Sequence, residues 1–299
     1  MDVLLNYVNN CLRPTPDLLY PIPSKINKIT NVLRSNSSLS LKEVLPGGSY
    51  EKGTMLRHHP DIDVVLVFNK EPGIKKDWKK LMHKVFIDLK TAFPEADIKE
   101  GDFIAIQMQF KGDKANYDII PSYKVNSVSQ MSDKHTSPIY QGIAQHFHVE
   151  YVKQRKNLRF YPETVMLLKD WKNEHGVPLA SFHMELIATS VYEYRLEDNF
   201  SLEESVFACF QEIQGLIDGT PVFPVNWADF DPDSLDRHYD YPLLIDPANP
   251  SINLLEELKP EQWKKIKSEA SRAMALISNG DYGAVFDTKD QTHFFRMSS

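Results

Sequence analysis

The chain has 299 residues, 42% of them hydrophobic and 25% charged, and a formal net charge of −7 at pH 7. That length and balance support a folded protein with a sizeable core in one large or two modest domains. The acidic total argues against a surface that grips nucleic acid throughout, but it is compatible with small phosphorylated substrates held through metal ions. Cys11 and Cys209 lie far apart and in no CxxC pair, so no zinc site is expected and a reducing cytosol is the simpler setting. Met1 to Leu12 has no basic-then-apolar signal, and apolar runs such as Val64 to Phe68 are too short to span a bilayer, so a cytoplasmic location is expected.

In chain order, hydrophobic periodicity predicts roughly 35 largely helical residues at the start. Pro14, Pro16, Pro21 and Pro23 break this stretch, and Ile26, Ile29, Val32 and Leu33 then resume it at helical spacing. Pro46-Gly47-Gly48 stops the chain, and a short helical turn follows from Ser49. Val64 to Phe68, β-branched and apolar, reads as a buried strand. Lys76 to Phe93 puts Leu81, Val85, Phe86 and Leu89 on one helix face. Phe103 to Phe110 alternates as a strand, Lys111 to Asn116 turns, and Tyr117 to Ile120 resumes as a strand. Asp113 reads as an ordinary turn aspartate. Helices are predicted over 139–154, 162–175, 183–195, 202–216 and Pro260 to Ser278, with the Pro- and Asp-rich stretch Thr220 to Pro250 as loop. A mixed front half and a helical rear half predict an α+β chain of two lobes with a cleft between them.

The chemistry concentrates in Gly47-Gly48-Ser49-Tyr50-Glu51-Lys52-Gly53-Thr54 and Asp61-Ile62-Asp63, which leads into the apolar strand. Alternate side chains of a strand share a face, so Asp61 and Asp63 point the same way. Two carboxylates side by side at the edge of an apolar strand repel each other, and a divalent cation resolves the conflict. Gly47 and Gly48 allow backbone N–H groups to approach a phosphate, and Ser49 adds a hydroxyl donor. Asp118, in Tyr117-Asp118-Ile119-Ile120-Pro121, is the third carboxylate that two-metal phosphoryl transfer requires, brought alongside by an antiparallel neighbour. Each motif alone has a bland reading, as a turn or a strand end. Their conjunction in this order is the specific signal.

These residues resemble the polymerase β-like nucleotidyltransferases, and in particular the branch of the cGAS/DncV-like enzymes (CD-NTases) and 2′-5′-oligoadenylate synthases. The segment from Gly47 to Arg57 with Asp61-Ile62-Asp63 looks like that branch's phosphate loop and metal motif. The strand around Asp118 looks like its third-aspartate strand. Tyr151 to Arg155, Leu167 to Trp171, Ser181 to Leu186 and Ile245 to Pro250 resemble its helical-lobe segments. The resemblance implies a nucleotidyltransferase lobe with a mixed or antiparallel sheet over residues 1–135, a helical lobe over 136–299, and an active site in the cleft between them.

It also implies roles. Asp61, Asp63 and Asp118 would bind two Mg2+ ions, with Mn2+ as the alternative, and Asp118 would serve as general base or lower the pKa of the attacking hydroxyl. Gly48, Ser49 and Lys169 would hold the triphosphate. Ser181 and Phe182 would border the nucleobase, with core packing the alternative for Phe182. Oligoadenylate synthases tend to carry Gln-Tyr at those two positions, so a strict preference for adenine does not carry over. The substrates would be nucleoside triphosphates, and the product a cyclic oligonucleotide second messenger of antiphage signalling. The alternative is a linear 2′-5′-oligoadenylate made under double-stranded RNA, for which Lys25, Lys28, Arg34 and Lys42 are the N-terminal basic residues. A regulatory protein partner is compatible with either.

Overall fold

The computed structural model describes residues 2–35, 41–69, 78–101, 105–123, 138–196, 199–222 and 242–286. Helix α1 (Val3–Tyr7) runs into a π-helical turn, Val8–Leu12, followed by α2 (Pro16–Leu19) and α3 (Pro21–Ser35). Then come β1 (Leu41–Pro46), α4 (Gly48–Lys52), β2 (Asp61–Phe68), α5 (Trp78–Ala92), β3 (Asp97–Glu100), β4 (Ile106–Gln109), β5 (Asn116–Tyr123) and α6 (Pro138–Lys153). The remainder holds α7 (Tyr161–Glu174), α8 (Ser181–Tyr194), α9 (Leu202–Ile217), β6 (Ile245–Asp246), β7 (Asn249–Asn253), α10 (Pro260–Ser278) and α11 (Gly283–Phe286). The chain divides into two compact units, Pro14–Lys153, and Met1–Arg13 with Gln154–Ser299. Helix α1, read above with the catalytic half, therefore packs within the helical unit. No helix of the described residues is long and apolar enough to cross a membrane.

The first unit is built on a five-stranded sheet in the order β1-β2-β5-β4-β3. β1 pairs with β2, β5 with β4, and β4 with β3 in antiparallel fashion. The β2–β5 pair is parallel, which corrects the antiparallel neighbour expected for Asp118. The reason lies in the order of elements. α5 and the β3–β4 hairpin intervene between β2 and β5, long enough to return the chain to the same end of the sheet. Val64 to Phe68 of β2 are all buried, as expected of a strand covered on both faces, whereas β1 and β3 are edge strands without a clear alternating signal in the sequence. Phe110 packs edge-on between Phe93 and Tyr117, with centroid distances of 5.4 and 5.5 Å. Asp113 accepts from the Tyr117 hydroxyl at 3.2 Å and ion-pairs with Lys25, so this turn aspartate also anchors α3 to the sheet. Lys25 is accordingly not a free member of a basic stripe.

In the second unit, α7, α8 and α9 pack around Trp171, which is fully buried and meets the Phe210 ring edge-on at 4.8 Å. The Tyr7 hydroxyl lies 2.8 Å from the Phe286 carbonyl and 3.0 Å from an Asp170 carboxylate oxygen, and so ties α1 to α7 and α11. Of the stretch read as loop, residues 223–241 lie outside the described residues. Its end instead forms the β6–β7 ribbon, which the buried Asn253 pins by accepting from the Leu244 and Leu255 N–H groups and donating to the Pro242 carbonyl. One side-chain amide thus replaces the missing hydrophobic pattern. Residues 76, 77, 103 and 104, expected in a helix and a strand, also lie outside the described residues.

Helix α9 begins at a reciprocal cap. Glu204 N–H donates to Ser201 Oγ at 3.1 Å, and Ser201 N–H donates to the Glu204 carboxylate at 2.6 Å. Ser201→Ala should cost ~1 kcal/mol of stability. The Ser201 backbone, and then its side chain, hold the Glu204 pKa below its ordinary 4.5. A depressed carboxyl pKa gives stability that is present above 4.5 and lost as pH falls through the folded value. Glu204→Gln should therefore be less stable than wild type at pH 7 and indistinguishable from it in strong acid. Urea midpoints at the two pH values check this.

Candidate active site

β1 ends at Pro46, and the Gly47 N–H donates to the Asp63 carbonyl at 2.7 Å, locking the turn to β2. Gly48 opens the one-turn helix α4 with φ +56, a left-handed conformation that suits glycine. A Cβ built on Gly48 would sit 1.5 Å from an Asp63 carboxylate oxygen. The missing side chain is therefore the notch that receives Asp63. Ser49 is half-buried on the first turn, where a helix's N–H groups have no carbonyl partner within it. Gly53, with φ +74, closes the turn, and Lys153 at the end of α6 pairs with Glu51 at 2.5 Å to brace it.

The parallel register puts Asp63 opposite Asp118 and Asp61 opposite Asn116. Neighbouring strands lie ~4.8 Å apart, so the three aspartates form one patch on the N-terminal end of β2 and β5. Asp61 is exposed and accepts from Asn116 Nδ2 at 3.1 Å, while Asp63 and Asp118 are half-buried. Burial, and then the charge of Asp61, raise the pKa of Asp118. Among the described residues, no three His, Cys, Asp or Glu side chains already gather closely enough to hold a metal. Asp63 is turned onto Gly48 and Asp61 onto Asn116, as like charges separate. The donor set nonetheless fits a hard divalent cation. All three ligands are carboxylates on one face, and their mutual repulsion is what a cation relieves.

Beside Asp61 and Asp118 the sheet opens into a pocket of about 260 Å³, also lined by Asn116, Gln107, Gln109 and Lys99. None of these four belongs to a motif of the sequence. The available signal was the alternation Ile106-Gln107-Met108-Gln109, whose apolar members are buried and whose amides face the other way. Lys169, Ser181 and Phe182 belong to the second unit. Lys169, which the resemblance assigns to the triphosphate, is buried on α7 and held 2.6 Å from the equally buried Glu185 of α8, because an ammonium removed from water needs a counter-charge. Ser181 is exposed and Phe182 half-buried on the first turn of α8.

Three substitutions test this geometry. Gly48→Ala and Gly53→Ala share the left-handed backbone cost of ~1–2 kcal/mol, but nothing lies within 4 Å of a Cβ on Gly53. Denaturant melts should therefore find the Gly48 variant clearly the less stable, and equal losses would remove the notch. Asp118 titrates above its ordinary 3.8, so its ionised form costs stability increasingly as pH rises from 3.8 through the folded value. In chelator at pH 7, Asp118→Asn should melt higher than wild type, and the two should converge as pH falls toward 3.8.

Residues 26–130 match the family model described as a nucleotidyltransferase domain. The CBASS oligonucleotide cyclase CdnC of Escherichia coli strain KTE188 is 24% identical over 92% of this chain and 91% of its own length. The 2′-5′-oligoadenylate synthase 2 of Bos taurus is 22% identical over 94% of this chain and 44% of that protein. The solved E. coli MS115-1 CdnC, in complex with HORMA-deltaN, superposes with a TM-score of 0.75 at 21% identity, covering 96% of each chain. Fold, motifs and the matched domain together make this chain a nucleotidyltransferase, similar over most of its length to the oligonucleotide cyclase CdnC and to the 2′-5′-oligoadenylate synthases.

Proposed function

We propose that the chain joins nucleoside triphosphates, without a template, into a cyclic oligonucleotide messenger. The observation that carries the reading is the register of Asp63 against Asp118, with Asp61 on the same face and the Gly48 notch behind. A cyclic product is supported by a similar protein of almost the same extent that is named an oligonucleotide cyclase.

In this reading Asp61, Asp63 and Asp118 hold two magnesium ions, or manganese, which when bound supply charge neutralisation for the triphosphate. Asp118 takes the proton of a ribose hydroxyl on one nucleotide. The hydroxyl oxygen bonds to the α-phosphorus of a second nucleotide, and pyrophosphate leaves. Gly48 offers its backbone N–H, and Ser49 its N–H and hydroxyl, to the outer phosphates. Lys169 joins them if a triphosphate draws it from Glu185, while Ser181 and Phe182 border the base. Repeating the step on the linear intermediate closes the ring. A regulatory protein partner in the cytoplasm completes the proposal, supported by the HORMA-deltaN complex of the 21% identical CdnC.

The test is incubation with all four radiolabelled triphosphates and magnesium, followed by phosphatase. A phosphatase-resistant product, lowered ~10²-fold or more in Asp61→Asn/Asp63→Asn protein, is expected. Resistance of that product to exonuclease marks a ring. A ladder of linear products that appears only with double-stranded RNA would replace this reading with the oligoadenylate one.

A further inference from the structure

The pocket beside the aspartates holds side chains that the three-carboxylate chemistry leaves unused. Cross-strand rows run Lys99–Gln107–Asp118 and Asp97–Gln109 over β3, β4 and β5. Their neighbours Ile98, Ile106, Tyr117 and Ile119 are buried on the opposite face, so the polar members are held on the pocket side by the core beneath them. Gln109 is already committed, its amide nitrogen donating to the Asp113 carbonyl at 3.2 Å. Lys99 is committed to Asp97 at 2.7 Å. Gln107 is exposed, and its amide has no hydrogen-bond partner among the described residues.

We propose that Gln107 reads the base of the nucleotide that supplies the attacking hydroxyl, and that this base is adenine. The inference rests on the joining reaction proposed above. Gln107 and Asp118 leave the same face of the sheet one inter-strand step of ~4.8 Å apart, so a nucleoside whose ribose hydroxyl meets Asp118 can bring its base to the Gln107 amide. The pocket, at about 260 Å³, falls just below the ~300–1,000 Å³ of drug-sized sites, which suits one nucleoside rather than two.

The amide presents one donor and one acceptor in a plane. This pair matches the ring-nitrogen acceptor and amino donor of adenine, whereas guanine presents two acceptors on the same edge and leaves the amide oxygen facing an oxygen. Lys99, the neighbour chemically suited to guanine, pairs with Asp97 on the exposed edge strand. Gln107 is thus a specificity-determining residue for one of the two nucleotide positions.

The experiment separates the two positions by chemistry. 2′,3′-Dideoxy-ATP has no ribose hydroxyl and serves only as donor. α,β-Methylene ATP or GTP cannot lose pyrophosphate and serves only as acceptor. With magnesium, wild type should couple the adenine acceptor in preference to the guanine one. Gln107→Leu should lower adenine coupling about 5- to 150-fold, the range of one bidentate base contact, with the KM for the donor unchanged. Gln107→Arg, whose guanidinium matches guanine, should turn the preference toward the guanine acceptor. Wild-type coupling with the same base preference in all three proteins overturns this inference and leaves the joining reaction standing. Absence of coupling by wild type with either acceptor overturns both.

Discussion

The parallel pairing of β2 with β5 is the constraint on which the rest of the first unit depends. Side-chain direction along a strand alternates, so a slip of one residue would turn Asp118 to the opposite face from Asp63. What prevents the slip is apolar. Val64, Val65 and Leu66 on one strand, and Ile119 and Ile120 on the other, are buried, and no shifted pairing buries them all equally. The carboxylates thus gain their register from residues that take no part in chemistry. Gly48 depends on the same register, since Asp63 must arrive at one depth to fill the space where a side chain would otherwise stand.

The helical unit solves a related problem with buried charge. Lys169 with Glu185 joins α7 to α8. Glu212, which accepts from Ser190 at 2.8 Å and pairs with Arg195, joins α8 to α9. The Lys169–Glu185 pair, buried on both sides, adds little net stability because desolvation offsets most of the attraction, but removing one partner costs ~3–5 kcal/mol. Both pairs fix which helix faces meet. A ligand that competed for Lys169 would therefore also loosen the α7–α8 contact at that point. For this reason the role of Lys169 differs from that of a solvated lysine waiting for phosphate.

The difference between what was legible in the sequence and what was not follows from the range of the interactions. Asp61-Ile62-Asp63 before an apolar strand and Gly47-Gly48-Ser49 before a helical turn are local patterns, and each sits where the pattern places it. The helices α6 to α10 were legible because periodic apolar faces persist over several turns. The direction of β5 relative to β2 was not. It is set by the intervening α5 and hairpin, and β3 offers only Ile98 as a buried residue. β6 and β7 escaped because Asn253, not an alternating pattern, holds them. Gln107 was visible as part of an alternation, but nothing in the sequence ties it to Asp118. That adjacency exists only across the β4–β5 ladder.

β2 also shows why the acid and the core must meet where they do. Along its length the strand passes from exposed Asp61 through half-buried Asp63 to fully buried Val64, and Asp118 lies at that same boundary on the neighbouring strand. Farther out, water would screen Asp61 and leave Asp118 an ordinary, weak base. Deeper in, desolvation would keep it protonated and unable to accept a proton or bind a cation. Before a cation binds, the half-buried position raises its pKa through burial first and through the neighbouring charge second, so that shift follows from depth in the sheet. A side chain tuned by depth cannot be moved by changing the loop beside it. It moves only if the packing of Tyr117 and Ile119 on either side moves, and both are fully buried. Where the carboxylates stand to receive a cation is thus a property of the core.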